Sequence, residues 1–152
     1  IDFDEMNIMY NISDITLNIS FAEGFGLSTL ESMQTGTPIV AVATGGLTRQ
    51  VINHKDGTEN GVAIQPALKN LVGSQSVPYI YEDYASVEDI ADGIFKMYSL
   101  DSKSKENLSI KVKQYANEEF SYEKTVDLWH DSLIDTIENW KANRNNISLE
   151  EF

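Results

Sequence analysis

No cysteine occurs among the 152 residues, which excludes disulfide scaffolds and thiolate metal sites but leaves the cellular compartment open. Basic residues are scarce as well. Eleven Lys and Arg stand against 24 Asp and Glu, a formal net charge of −13 that opposes both nucleic-acid phosphates and an anionic membrane surface. The basic residues are also unevenly placed, since residues 1–48 contain none. No apolar run approaches the ~18 residues of a membrane span, and no signal-peptide pattern opens the chain. A soluble, cytoplasmic protein without nucleic-acid or membrane partners is the expectation. His54 and His130 each lack a carboxylate or metal-ligand partner at a useful spacing, so both read as surface or boundary residues and no metal site is expected.

What the chain does contain is a strand, a glycine-rich turn and a helix in succession. Residues 14–20 (D-I-T-L-N-I-S) alternate Ile15, Leu17 and Ile19 with polar residues, the period of a strand. Residues 20–31 follow as S-F-A-E-G-F-G-L-S-T-L-E, with Glu23 and Glu31 eight positions apart. Gly24 and Gly26 are both suited to positive φ and to close approach of a ligand. A helix starting near Leu27 would leave its first amides, from Gly26 to Thr29, free to hold an anion such as a diphosphate. On that helix Leu27, Leu30 and Met33 form the apolar arc, and Glu31 falls on its flank, where a carboxylate needs hydrogen-bond donors such as ribose hydroxyls. Glu23 lies ahead of the helix, placed to accept from whatever the diphosphate carries. The spacing alone fits a ligand-free turn equally well, with Glu23 solvated and Glu31 paired to a basic side chain.

The remaining chain reads as an α/β domain. Residues 3–11 form a helix with Phe3, Met6 and Tyr10 on one side. The run 39–43 suits a strand covered on both faces, Thr44-Gly45-Gly46 turns into a helix over 47–53, and 61–65 form a third strand. Residues 66–83 are too apolar for a loose linker and read as an ordered flap or, preferably, as an added strand covering a sheet edge. Ser86 caps a helix striped by Val87, Ile90, Ala91, Ile94 and Met97. A helix over 103–118 turns Leu108, Val112 and Tyr115 inward. The last helix, residues 122–143 within a C-terminal segment 121–143, lines up Val126, Trp129, Leu133, Ile137 and Trp140.

The segment S-x-x-E-G-F-G-L-x-x-L-E-S-M-x-x-G-T-P-I-V-A, followed by T-G-G and D-G-x-x-N-G, resembles the C-terminal, donor-binding domain of the retaining glycosyltransferases of the GT-B type. That large family includes sucrose synthases and many bacterial mannosyl- and glucosyltransferases. The resemblance is close over residues 4–66 and loose beyond. It implies a Rossmann-like parallel sheet with flanking helices, ending in long helices, as one partial domain over residues 1–152. By position it puts Glu23 against the transferred sugar, the amides of Gly24, Phe25, Gly26 and Leu27 on the diphosphate, and Glu31 on the ribose. The implied substrate is a nucleoside diphosphate sugar, with no separate cofactor and with retention at the transferred carbon.

In the family an Arg and a Lys from earlier in the domain assist the diphosphate, so the sequence reads as partial, lacking an acceptor domain. The isolated chain is then expected to be inactive, with the strand at 14–20 offering an edge to a second chain or to the insertion. Two departures stand out: Arg49 where the family usually has a glutamate, expected to be solvated, and the insertion at 66–83. A non-catalytic binding or assembly module, or an epimerase or phosphorylase of the same architecture, are the alternatives.

Overall fold

The computed structural model describes residues 2–143. The chain falls into two compact units, Ile1–Asn117 and another from Glu118 onward. The first is a Rossmann-like α/β unit. Its strands β1 (Thr16–Asn18), β2 (Ile39–Val42) and β3 (Gly61–Ile64) are parallel and adjacent in the order β1-β2-β3. Helix α1 (Phe3–Ile12) precedes β1, α2 (Leu27–Thr35) connects β1 to β2, and α3 (Leu47–Val51) connects β2 to β3. Met6 and Tyr10 of α1 are half-buried, in line with their spacing, while the Phe3 side chain lies outside the described residues.

All four residues of β2 are buried, the condition of a central parallel strand covered on both faces. Val40 joins Val62, Ile64 and Met97 in a core against which Ile15, Ile90 and Leu108 pack. The strand expected over 14–20 is shorter. Ile15 reaches the core, but Leu17 is 42% exposed and Ile19 is exposed too. Strand β1 is an edge strand, and among the described residues nothing pairs with its outer side. Helix α3 is also shorter than 47–53, since Ile52 is extended and bridges to Glu59.

Helix α2 is seated by hydroxyls more than by leucines. Thr29, Ser32 and Met33 are its buried residues, whereas Leu27, expected in the apolar arc, is 69% exposed and Leu30 is half-buried. Ser32 Oγ donates to the Thr37 carbonyl (3.2 Å) and lies 2.7 Å from Thr16 Oγ1, fastening the helix to β1. Thr37 Oγ1 in turn donates to the Tyr10 carbonyl (2.7 Å), which draws α1 alongside. These polar groups can be buried because each finds a partner.

The insertion does not add a strand to the main sheet. Strands β4 (Leu68–Ser74) and β5 (Val77–Tyr84) form their own antiparallel pair, from Leu68 opposite Tyr84 to Ser74 opposite Val77, because the two halves satisfy each other's backbone. The base of this hairpin is fixed to the segment after β1: the Asp83 amide donates to the Phe21 carbonyl (2.7 Å), and the Phe21 and Tyr84 rings stack at 4.4 Å. Helix α4 (Val87–Tyr98) has the expected cap, with the Asp89 amide donating to Ser86 Oγ at 3.0 Å. Its inward row is Ile90, Gly93 and Met97, and the expected Val87, Ala91 and Ile94 are exposed, because the helix meets Val40 and Val62 at Gly93. Helix α5 (Ser102–Glu119) buries Val112, Tyr115 and Ala116 and half-buries Leu108.

From Glu118 onward the main element is α6 (Tyr122–Asn143), at the predicted position, with Val126, Trp129, Leu133, Ile137 and Trp140 all exposed. No described helix is long and apolar enough to cross a membrane.

The seating of α2 makes a contrast that urea unfolding can read. Met33→Ala removes a fully buried side chain and should cost about 2–5 kcal/mol. Leu27→Ala, at an exposed position two turns earlier in the same helix, should cost under ~1 kcal/mol.

Candidate functional site

Strand β1 carries the chain at its carboxyl end into the turn of residues 19–26, and α2 departs from Gly26. Gly26 has φ 89° and ψ 63°, a left-handed conformation, and a Cβ there would lie 2.6 Å from Thr29 Oγ1 and 2.7 Å from Leu47 Cδ2. Glycine is therefore required both by backbone angle and by space. The expectation of positive φ at both glycines holds for Gly26 alone; Gly24 does not adopt it and faces open space. No side chain caps α2, so its first amides keep the partial positive charge of a helix start. Phe25 and Leu27 on either side of Gly26 are exposed.

A second turn braces the first. A Cβ on Gly45 would lie 1.8 Å from the Glu23 carbonyl oxygen, and the Gly46 amide donates to that oxygen at 3.2 Å. The Glu23 backbone is thus held, while its half-buried carboxylate has no hydrogen bond or ion pair among the described residues. Behind the turn sits Gln50 of α3, fully buried. Its Nε2 donates to the Phe25 carbonyl (2.6 Å) and the Gly26 carbonyl (3.1 Å), and its Oε1 accepts from Thr29 Oγ1. Nothing in the motif reading singled out Gln50; its position three residues after Leu47, on the inward side of a short helix, was the available signal.

Glu31 occupies a different setting. Tyr10 Oη donates to Glu31 Oε2 at 3.1 Å, so its partner is a phenol from α1 and not a basic side chain. The two residues line a cavity of about 280 Å³ with Met6, Asn7, Gln34 and Thr35. Burial chiefly, then the hydrogen bond to Glu31 and that carboxylate's charge, push the Tyr10 hydroxyl above the ordinary tyrosine pKa. Glu23 does not line this cavity. The structure therefore joins Glu31 to Tyr10 and joins Glu23, Gly24, Phe25, Gly26 and Leu27 in the turn. A larger cavity of about 590 Å³ opens near Ile15 and Pro38, just before β1 and β2. It lies at the amino ends of the strands, whereas ligands of open parallel sheets sit at the carboxyl ends, where the turn is.

Arg49 is not simply solvated. Its Nη2 lies 3.3 Å from His54 Nε2, His54 Nδ1 lies 3.1 Å from Tyr115 Oη, and that hydroxyl donates to the Arg49 carbonyl at 2.6 Å. With the phenol proton used on the carbonyl, His54 donates from Nδ1 and accepts from Arg49 at Nε2. Among the described residues no group of histidines and carboxylates could hold a metal ion.

Comparison with known proteins places this geometry in context. Residues 1–74 match the family model described as glycosyl transferases group 1. An uncharacterized glycosyltransferase of Methanocaldococcus jannaschii is 28% identical over 111 residues, covering 70% of this chain and 27% of that protein. Trehalose synthase of Pyrococcus furiosus is 40% identical over 53 residues, covering 35% of this chain and 13% of that protein. D-inositol 3-phosphate glycosyltransferase of Pseudarthrobacter chlorophenolicus is 38% identical over 53 residues, again 35% of this chain and 13% of that protein. The chain thus spans about a quarter or less of the length of these relatives.

The Tyr10–Glu31 pair has a pH signature. Because the folded-state pKa of Tyr10 is raised above 10.0, the fold favours the neutral phenol; that contribution is intact below pH 10 and is lost as the pH climbs through the raised value. Glu31→Gln removes the charge and leaves the burial. The Tyr10 titration, read as the difference in ultraviolet absorbance between the parent and Tyr10→Phe, should then move part of the way back toward 10.0.

Proposed function

We propose, given that this chain carries a group 1 glycosyltransferase-like domain, that it binds a nucleoside diphosphate sugar and serves the transfer of the sugar to a hydroxyl acceptor with retention. The observation that carries this reading is the uncapped amino end of α2, open at the carboxyl edge of a parallel sheet, with Glu31 about one helical turn inside it. Amides at such an end bind phosphate oxygens, and residues 1–48 supply no basic side chain to do so instead. Relatives named for trehalose and for D-inositol 3-phosphate each match only about a third of this chain. That is compatible with a shared donor site serving different acceptors, and we leave the acceptor as a hydroxyl of unspecified parent.

In this reading Glu31 accepts from the ribose hydroxyls. Its Oε2 is already engaged by Tyr10, and a carboxylate retains lone pairs on the other oxygen for two more donors. Glu23, its carboxylate unpaired among the described residues, faces the transferred sugar. In the reaction the bond from the sugar's anomeric carbon to the diphosphate oxygen breaks, and that oxygen keeps the electron pair. The acceptor oxygen forms the new bond and gives its proton to the departing diphosphate oxygen. Charge grows on the leaving diphosphate, so donors fixed in advance at Gly26 and Leu27 act as an oxyanion hole does. No side chain is assigned as a covalent nucleophile.

The test is calorimetric titration of the chain with UDP-, GDP- and ADP-sugars. One of them should bind saturably, and Glu31→Ala should weaken it at least about tenfold through loss of charge-assisted hydrogen bonds. Glu23→Ala should weaken the sugar nucleotide while leaving the sugar-free nucleoside diphosphate unaffected. Indifference to the whole panel would sink the donor-site reading.

A further inference from the structure

We infer that Gln50 is the positioning residue of the anion-binding turn: it aims two backbone amides at the ligand without touching the ligand itself. This rests on the reading of the turn as a diphosphate site and adds the residue that makes the turn competent.

The inference follows from the planarity of the peptide unit. In a trans peptide the C=O of one residue and the N–H of the next point in opposite directions. Gln50 Nε2 takes the Phe25 carbonyl at 2.6 Å and the Gly26 carbonyl at 3.1 Å, using both of its protons. The amides in those same two peptides belong to Gly26 and Leu27, so both are turned away from Gln50, toward the side where Phe25 and Leu27 are exposed. Neither amide has a partner among the described residues. The orientation of the Gln50 side chain is itself unambiguous, because two carbonyl oxygens can face only the nitrogen end of the amide and the Thr29 hydroxyl satisfies the oxygen end.

Gln50 is in turn immobilised. It is fully buried, and its own carbonyl accepts from Asn60 Nδ2 at 2.8 Å. Asn60 immediately precedes β3, its amide donates to the Val51 carbonyl (2.8 Å), and its carbonyl accepts from the Ile39 amide (3.2 Å). The turn's geometry is thereby referred to the central strands of the sheet. A glutamate at position 50 would match the size of glutamine but present oxygens to two carbonyls. A leucine would withdraw the Gln50 donor from both carbonyls, although the Gly26 carbonyl would still accept from the Leu30 amide at 3.1 Å and Thr29 Oγ1 at 2.8 Å, so the Phe25 carbonyl and the Gly26 amide of its peptide are where the change acts most.

The experiment uses the whole chain carrying Gln50→Leu, observed by amide NMR and by titration. The Gly26 and Leu27 amide resonances should shift and exchange faster with solvent, while amides of β2 and β3 keep their protection. Affinity for the nucleoside diphosphate selected by the sugar-nucleotide panel should fall about tenfold, the loss of one to two hydrogen bonds' worth of alignment, with affinity for the parent nucleoside unchanged. A purely structural role for Gln50 predicts equal losses for diphosphate and nucleoside, and that result overturns the inference, as do unmoved Gly26 and Leu27 resonances. If no member of the panel binds the unmodified chain, the donor-site reading fails, and the resonance shifts still decide whether Gln50 aims these amides. Should Gln50→Leu fail to fold, Thr29→Val withdraws the hydroxyl that serves both Gln50 Oε1 and the Gly26 carbonyl; a smaller shift of the Gly26 amide, whose peptide carries the Phe25 carbonyl held by Gln50, supports the assignment, and none refutes it.

Discussion

A carboxamide sealed away from water must have every donor and acceptor satisfied, and this requirement at Gln50 dictates much of what surrounds it. Two of its partners are carbonyls of the glycine turn and the third is a threonine hydroxyl in the first turn of α2. The helix start is thus held from behind by α3, leaving its front uncapped. The same economy recurs along α2, where Ser32 and Thr37 tie the helix to β1 and to α1 through hydroxyls. A helix fastened in this way has a fixed rotation about its axis, since each hydrogen bond accepts only a narrow range of directions, whereas an apolar stripe tolerates sliding.

That fixed rotation sets the two acids apart in character. Glu31 is led to the flank of α2 and meets Tyr10, whose own position follows from the Thr37 hydroxyl on its carbonyl. Glu23 is constrained through its main chain, between Gly45 and Gly46, and its side chain is left uncommitted among the described residues. One acid is preorganised by a neighbour; the other has a fixed root and a free tip.

The strand, turn and helix around Glu23 and Glu31 were legible in the sequence because glycine spacing and the period-two alternation report on backbone geometry directly. The parallel sheet was an implication of the family resemblance, and the three strands are parallel. The long helix at Tyr122–Asn143 was legible for a similar reason, its apolar residues recurring at helical spacing over many turns. What escaped was polar packing. A hydropathy reading selects Leu27 for the interior and passes over Thr29 and Ser32, yet a hydroxyl with an acceptor at hand is a satisfactory core group, and Leu27 is the residue left outside. Arg49 stands out in the sequence by its charge, while its neutral neighbour Gln50 is the one that reaches the turn. The segment 66–83 reads as a flap or as a strand covering a sheet edge, whereas the turn at Gln75 and Ser76 lets it pair with itself.

The contrast between the glycines of the two turns bears on how the site could be altered. Position 45 admits no side chain, since its Cβ would occupy the Glu23 carbonyl oxygen, but position 24, one residue beyond that same glutamate, opens onto vacant space. Chemical variety can therefore enter beside Glu23 at position 24 without disturbing the main chain. Of the loop's glycines, this is the one a directed-evolution library could randomise to change the surface beside Glu23 while the turn keeps its shape.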